Sequence, residues 1–273
     1  MLHIHLRFYE ELNVFIPQEF RKKRFSHTLK VQTSVKDLVE SFNVPHTQVD
    51  MILVNQKQVD FSHIIKDHDD ISVFPYFHRF KIEAISKISH PKPEIIRFIA
   101  DNHLGNLARD LRMLGLDTLH NERFIHHELV EQANSQERIL LTKDRNILKR
   151  NDLNFGYYVY ANQDADQLAE VVLQFDLADK LSPLSRCLRC NAILEKIDKD
   201  KVLDRLPQRV KHTHNSFTYC PHCDKVFWKG THIDRMTEKL DTILETMKVP
   251  NKNKPHRTQS TLRTIGGINA KRK

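Results

Sequence analysis

The chain has 273 residues, 40% of them hydrophobic, and a formal net charge of +8. This length is enough for roughly two or three domains. No apolar run approaches the ~18 residues that span a bilayer, and the first residues alternate in polarity instead of forming a secretory signal, so we expect a cytoplasmic protein that does not enter a membrane. The basic excess favours a polyanionic partner, above all nucleic acid, although a basic surface without such a partner is the alternative.

Residues 1–80 have a self-contained pattern of short strands and one helix. Hydrophobic residues alternate in Leu2–Phe8 and again in Phe25–Val31, which predicts a hairpin of two half-buried strands. Ser34 is the expected N-cap of the helix that follows, and two further short apolar runs come after that helix. The order strand, strand, helix, strand, strand predicts a β-grasp domain.

Two segments lack a hydrophobic pattern. Residues 81–93 contain three lysines and two prolines and predict a linker. Residues 241–273 are rich in lysine and arginine and predict a disordered basic tail that holds RNA or DNA loosely.

Residues 94–180 predict an α/β domain with a parallel sheet. Ile95–Ala100, Ile139–Thr142 and Tyr157–Tyr160 are short apolar runs typical of buried strands, and a helical pattern follows each of them. Strands that alternate with helices in this way form parallel sheets whose carboxyl ends lie at one edge.

An acidic residue lies at or beyond the end of each of these strands. These residues are Asp101, Asp144 and Asp164, and Glu128 lies on a helix between the first two strands. Carboxylates that gather at one edge repel each other unless a cation joins them, and oxygen ligands select Mg²⁺ or Mn²⁺. The alternative for each acid is a helix cap or a solvated charge.

Basic residues near these acids predict contacts with phosphate. Arg109 and Arg112 are three residues apart on the first helix and should share a face, while Lys143 and Arg145 flank Asp144. A guanidinium can bind a phosphate through two hydrogen bonds. A solvated polar face is again the alternative.

All four cysteines of the chain lie in two C-x-x-C hooks within residues 181–240. The hooks contain Cys187, Cys190, Cys220 and Cys223. Four thiolates at this spacing are the ligands of a tetrahedral Zn²⁺ ion, so this segment predicts a zinc ribbon. Because four thiolates leave no open position for water, we expect the zinc to be structural.

These motifs together resemble the Mut-seven C-terminal RNase family, in which a PIN-like nuclease domain precedes a zinc ribbon. The resemblance covers about residues 94–236 and is carried by the two cysteine hooks and by the segments 98–101, 104–109, 111–115, 139–144 and 226–232. It implies a metal-dependent ribonuclease with RNA as its partner. Asp101 and Asp144 match acidic positions of the family, and Glu128 and Asp164 are its further candidate carboxylates.

One departure from the family pattern supports a second hypothesis. Relatives often have acidic residues where this chain has His126 and His127. A non-catalytic RNA-binding adaptor is therefore the alternative function, and a protein-interaction scaffold is a third.

The N-terminal domain resembles ubiquitin-like sulfur carriers, in Leu6–Phe8, Ser34–Leu38 and Asp70–Pro75. Sulfur carriers end in a free Gly-Gly, whereas here the chain continues with Tyr76. The resemblance thus implies a docking domain for a protein partner, with no sulfur chemistry.

Overall fold

The computed structural model describes residues 1–75, 88, 93–231, 233–238 and 242. Apart from Ile88, Pro93 and Thr242, the predicted linker and the predicted basic tail lie outside these residues.

The N-terminal domain is built on a mixed five-stranded sheet. Its strands are β1 (Leu2–Phe8), β2 (Phe25–Leu29), β3 (Val49–Val54), β4 (Lys57–Val59) and β5 (Asp70–Pro75), in the order β2-β1-β5-β3-β4. The antiparallel pairing of β1 with β2 confirms the predicted hairpin. Helix α1 (Val35–Ser41) follows Ser34, whose Oγ accepts the Asp37 N–H at 3.1 Å, as the N-cap prediction requires. The strand β4 was not predicted, because three partly exposed residues carry no alternation signal.

The second sheet is parallel throughout. Its strands are β6 (Phe98–Ala100), β7 (Thr118–His120), β8 (Ile139–Thr142) and β9 (Gly156–Tyr158), in the order β7-β6-β8-β9. The helices between and after them are α2 (Gly105–Met113), α3 (His126–Ser135), α4 (Arg145–Leu148) and α5 (Asp164–Gln174). Buried aliphatic and aromatic residues fill the space between the sheet and these helices.

Three details of this sheet differ from the sequence-based expectation. The strand β7 was not predicted. Because it lies between α2 and α3, the observed pattern is a regular alternation of strands and helices. The first strand begins at Phe98 instead of Ile95, which is 66% exposed. The last strand spans Gly156–Tyr158 instead of Tyr157–Tyr160, and its partner β8 itself ends at Thr142, which pairs with Tyr158.

The strand order reverses between β6 and β8. From β6 the chain first moves to β7 on one side and then crosses to β8 on the other side. Open α/β sheets bind their ligands in the crevice at the carboxyl ends of the two strands where such a reversal occurs. In this chain that crevice lies between the end of β6 and the end of β8.

The third part of the chain contains the cysteine hooks. An antiparallel sheet consists of β10 (Glu195–Ile197), β11 (Phe217–Cys220) and β12 (Lys225–Trp228), and α6 (Gln208–Thr213) lies between the first two strands. Cys187 and Cys190 precede this sheet, while Cys220 and Cys223 lie at the turn between β11 and β12. This is the architecture of a zinc ribbon.

The first two sheets meet at Gln48, which is 4% exposed. Its Nε2 donates to the Gly156 carbonyl oxygen at 3.1 Å, and its Oε1 accepts the Tyr158 N–H at 3.0 Å. Both backbone groups belong to β9, the last strand of the parallel order, so the side chain of Gln48 supplies partners for two backbone groups of that edge strand. None of the described helices is both long and apolar enough to cross a membrane.

Candidate active site and metal centre

Asp101 lies directly after β6, at the point where the strand order reverses. The residue is 3% exposed, and its Oδ1 accepts the Asn102 N–H at 2.7 Å. Its Oδ2 accepts a hydrogen bond from Thr142 Oγ1, also at 2.7 Å. The carboxylate is therefore held in a fixed orientation at the carboxyl end of β6.

Thr142 connects Asp101 to the second predicted acid. Thr142 is fully buried at the end of β8, and its Oγ1 accepts the N–H of Asp144 at 2.9 Å. Asp144 in turn caps α4, because its Oδ1 accepts the Asn146 N–H at 2.7 Å. The two acids are thus joined through one threonine hydroxyl, and each has a carboxylate oxygen engaged at the start of a helical turn.

His126, the first residue of α3, lies beside Asp144. Its Nε2 is 3.4 Å from Asp144 Oδ2, and the two side chains are 56% and 29% exposed. An imidazole therefore lies next to the outer oxygen of Asp144. The sequence pattern had marked this histidine only as a departure from an acidic position.

Glu128 and Asp164 lie at the starts of α3 and α5, which pack on opposite faces of the parallel sheet. The Oε2 of Glu128 accepts the Ile125 N–H at 3.0 Å, which is an N-terminal capping contact of α3. Asp164 begins α5, and its Oδ2 accepts a hydrogen bond from Asn106 Nδ2 at 3.0 Å. Both acids have the capping or polar contacts that the alternative interpretation expected.

The four acids do not close into a compact shell. Among the residues that the structure describes, only the cysteines form a group of three or more acidic, histidine or cysteine side chains whose ligand atoms lie within 4.8 Å of one another. The buried Asp101 nevertheless fits a cation, because across the described ranges no lysine, arginine or histidine nitrogen lies within 4.0 Å of it. A buried carboxylate without a positive partner is unfavourable unless a cation binds it.

The predicted phosphate contacts lie in different environments. Arg109 is exposed on α2. Lys143 is half-buried, and its Nζ donates to the Ala161 carbonyl oxygen at 2.6 Å and to Asn162 Oδ1 at 3.0 Å. The guanidinium of Arg145 lies over the ring of Phe15.

Glu170 binds the segment between β9 and α5, which Lys143 also contacts through Ala161 and Asn162. Its carboxylate accepts the N–H groups of Tyr160 and Ala161 at 2.8 and 2.7 Å, and the hydroxyl of Tyr157 at 2.8 Å. Burial raises the pKa of Glu170, although these hydrogen bonds act in the opposite direction. The segment between β9 and α5 is therefore fixed in place, and with it the position of Asp164.

Arg112 has a different role from the one predicted. It is 5% exposed, its Nε donates to the Thr118 carbonyl oxygen at 2.8 Å, and its Nη1 donates to the carbonyl oxygens of Leu188 and Arg189, each at 3.1 Å. Arg109 is exposed and Arg112 is buried, so the two do not share an exposed face. We assign Arg112 to the junction between α2 and the first cysteine hook and leave it out of the RNA-binding surface.

The four cysteines form a site for one metal ion. Their Sγ atoms lie within 4.8 Å of one another, and Cys190 and Cys220 are 3.5 Å apart. The hydrogen bond with Cys190, with a smaller effect of burial, raises the pKa of Cys223 to about 12. Neighbouring thiols resist ionisation together, so a cation must stabilise the thiolates, and Zn²⁺ prefers this ligand set.

Two residues of this site had no signal in the sequence. In the sequence Thr142 is only the last residue of an apolar run, and its contacts with Asp101 and Asp144 depend on the packing of β6 beside β8. Asn191 follows the first hook, and its side chain bonds the Thr118 N–H at 3.1 Å and Asp117 Oδ1 at 2.8 Å. Its role depends on tertiary contacts and could not have been inferred from spacing.

The fold and these sites define an α/β protein in which a ubiquitin-like β-grasp domain precedes a PIN-like domain with a zinc ribbon. Residues 96–240 match the family model described as Mut7-C RNAse domain, and residues 1–81 match the model described as Mut7-C ubiquitin. The first match spans more than half of the chain, which therefore belongs to the Mut7-C RNAse domain family. No curated protein and no solved structure matches the chain.

Proposed function

We propose that this protein is a metal-dependent ribonuclease that hydrolyses phosphodiester bonds of RNA at the carboxyl edge of its parallel sheet. The main support is Asp101, a 3% exposed carboxylate at the reversal of the strand order, in a chain of an RNase-domain family. Such a carboxylate has the position and the environment of a metal ligand.

The residues have separate roles in this proposal. Asp101 and Asp144 hold Mg²⁺ or Mn²⁺, which activates a water molecule and stabilises charge at the phosphate when it is bound. Thr142 orients both acids through its hydroxyl. Glu128 and Asp164 border the crevice and act as further catalytic carboxylates.

The RNA backbone is held by basic side chains around this crevice. Arg109 is exposed and free to bind phosphate through its guanidinium. Lys143 and Arg145, on either side of Asp144, contribute positive charge near the reacting phosphate. The zinc ribbon holds a structural Zn²⁺ and extends the RNA-binding surface.

Replacing Asp101 or Asp144 with asparagine tests the proposal. We expect either variant to lose more than about 100-fold in cleavage of a labelled RNA. Removing a direct metal ligand should reduce activity more than removing a residue that only hydrogen-bonds to a ligand. RNA binding measured in chelator should be retained. Asp179→Asn, a change at an exposed position outside the crevice, is the matched control and should cleave at the wild-type rate.

Undiminished cleavage in an Asp101→Asn/Asp144→Asn double variant would contradict the proposal. The second candidate is a non-catalytic RNA-binding adaptor, favoured by the presence of His126 and His127 at positions that are often acidic in relatives and by the open arrangement of the acids. An adaptor binds the labelled RNA in Mn²⁺ and in chelator without cutting it.

We further propose that the ubiquitin-like domain binds a protein partner and that the protein acts in the cytoplasm. Four cysteines used as metal ligands suit a reducing compartment, where thiols are not oxidised to disulfides.

A further inference from the structure

We propose that the ubiquitin-like domain carries part of the RNA-binding surface. The residues are those of a basic loop, Arg21 to Arg24, which precedes β2. The inference rests on the proposed function only in that RNA is the ligand, and it does not require the protein to cut that RNA.

The ubiquitin-like domain is attached to the parallel-sheet domain at several points besides Gln48. Thr47 Oγ1 donates to the carbonyl oxygen of Leu148, at the end of α4, at 3.1 Å. Lys149 Nζ donates to the Glu40 carbonyl oxygen and to Asn43 Oδ1, each at 3.1 Å. These contacts fix the domain against α4, the helix that Asp144 caps.

Phe15 brings the loop region close to the candidate active site. The Phe15 ring centroid lies 5.0 Å from that of Tyr158 and 5.8 Å from that of Tyr160. The guanidinium carbon of Arg145 lies 5.1 Å from the Phe15 ring centroid. Arg145 directly follows Asp144 in the chain, so Phe15 packs against the residue next to this candidate acid.

The segment from Phe15 to the basic loop is held in a defined conformation. Asn13, which is 6% exposed, donates from Nδ2 to the carbonyl oxygens of Phe8 and Glu10 at 3.1 and 2.9 Å. Its Oδ1 accepts the N–H of Lys22 at 2.6 Å. The Nε of Arg21 donates to the Ile16 carbonyl oxygen at 3.0 Å. The basic loop is thus tied back to the residue next to Phe15.

The charge of the loop is available to a polyanion. All four basic residues are exposed, and within the part of the chain that the structure describes only Arg24 has a carboxylate within 4.0 Å, that of Asp70. Glu19 is the only acid between Pro17 and Arg24. Positive charges on a domain that packs against the candidate nuclease domain can bind the phosphate backbone and position the strand without reading its sequence.

Neutralising two lysines of the loop tests this inference. The full-length Lys22→Gln/Lys23→Gln variant should bind a fluorescein-labelled single-stranded RNA about 10-fold more weakly than wild type, measured by anisotropy in chelator so that no cleavage occurs. Loss of two phosphate contacts should also reduce the slope of log K against log salt by about 1.4. Lys57→Gln/Lys66→Gln is the matched control, because both lysines are exposed on the same domain outside the loop, and it should match wild type.

Lys22 has a φ of 58°, so a change there affects the backbone of the loop as well as its charge. Lys23→Gln alone avoids this complication and should give about half of the change in slope. The inference is overturned if the loop variants keep the wild-type affinity and slope, if the control loses as much as they do, or if the wild-type protein does not bind RNA. Cleavage that survives the aspartate changes, together with weaker binding in the loop variants, would reject the nuclease and retain the RNA-binding loop.

Discussion

Asp117 is a single carboxylate that joins three parts of the chain. Its Oδ1 lies 2.6 Å from Arg138 Nη1 and accepts a hydrogen bond from Asn191 Nδ2 at 2.8 Å, while its Oδ2 lies 3.2 Å from Arg186 Nη2. Arg138 precedes β8, and the other two partners flank the first cysteine hook. One residue thus connects the parallel sheet to the zinc ribbon.

The stability of this junction should depend on pH. Burial acts to raise the pKa of Asp117, but the hydrogen bonds from Arg138 and Asn191 and the nearby positive charges outweigh it and hold the pKa below its ordinary value of 3.8. A carboxyl whose pKa is lower in the folded state stabilises the fold above pH 3.8 and loses that contribution as the pH falls through its folded-state pKa.

Replacing Asp117 with asparagine should therefore lower the free energy of unfolding at pH 7 by about 2–3 kcal/mol, somewhat less than for a fully buried pair. The difference from wild type should shrink below pH 3.8, where the wild-type carboxyl also becomes neutral. Urea denaturation followed by circular dichroism between pH 7 and pH 3 measures both quantities.

Asp179→Asn is the control for this change, because Asp179 is exposed and should have little effect at any pH. A difference between wild type and Asp117→Asn that is constant over the whole pH range would contradict the explanation through the charged carboxylate.

The first cysteine hook and helix α2 depend on each other. Arg112, on α2, donates to two carbonyl oxygens of the hook, and burial lowers its pKa while Cys187 and Cys190 raise it. Four thiolates around a Zn²⁺ ion would carry a net negative charge, which the guanidinium of Arg112 would partly offset. Loss of the metal should consequently affect α2 as well as the ribbon.

We expect one Zn²⁺ per chain and loss of ribbon structure when a strong chelator removes it. Structural zinc contributes about 10–16 kcal/mol of binding free energy in small zinc-finger peptides, which fold only with the metal. Hydrogen exchange should become faster in β11 and β12 and, to a smaller extent, in α2. Stoichiometry by metal analysis and exchange by mass spectrometry measure these effects.

Cys190→Ser should reproduce the effect of the chelator, and Ser185→Ala, a change outside the metal site, should not. Full protection of β11 and β12 in metal-free protein would show that the ribbon folds without zinc, contrary to this expectation.

The elements that the sequence predicted are those with a strong local signal. The Asp101 and Asp144 positions follow from short apolar runs that end in an acid before a helix, and Ser34 follows from capping chemistry. The strands β4 and β7 were missed because each contains a single aliphatic residue between or beside polar ones and so shows no apolar run. The burial of Arg112 was missed because its partners are 76 and 77 residues away in the chain.

At the scale of the whole molecule, the contact through Gln48 should couple the two large domains. Gln48→Ala removes two hydrogen bonds to β9, at about 1 kcal/mol each, and leaves the partly buried Tyr158 N–H and Gly156 carbonyl without these partners. We expect a decrease of about 2 kcal/mol in stability and faster exchange of the Tyr158 amide. Thermal unfolding and hydrogen exchange measured by NMR report the two effects.

Gln18→Ala, a change at an exposed glutamine of the same domain, is the control and should leave both quantities unchanged. Unaltered exchange at Tyr158 in Gln48→Ala would mean that the side chain does not protect β9. No sequence pattern could have predicted this contact, because Gln48 lies in a three-residue helical turn and its partners are more than 100 residues away.

The position of Gln48 also bears on self-association. An outermost strand with free N–H and carbonyl groups is a template to which a strand of another chain can add, and proteins protect such strands to avoid aggregation. Here the protection of β9 comes from a neighbouring domain of the same chain. The ubiquitin-like domain thus covers part of the edge at which the parallel-sheet domain would otherwise be open to strand addition.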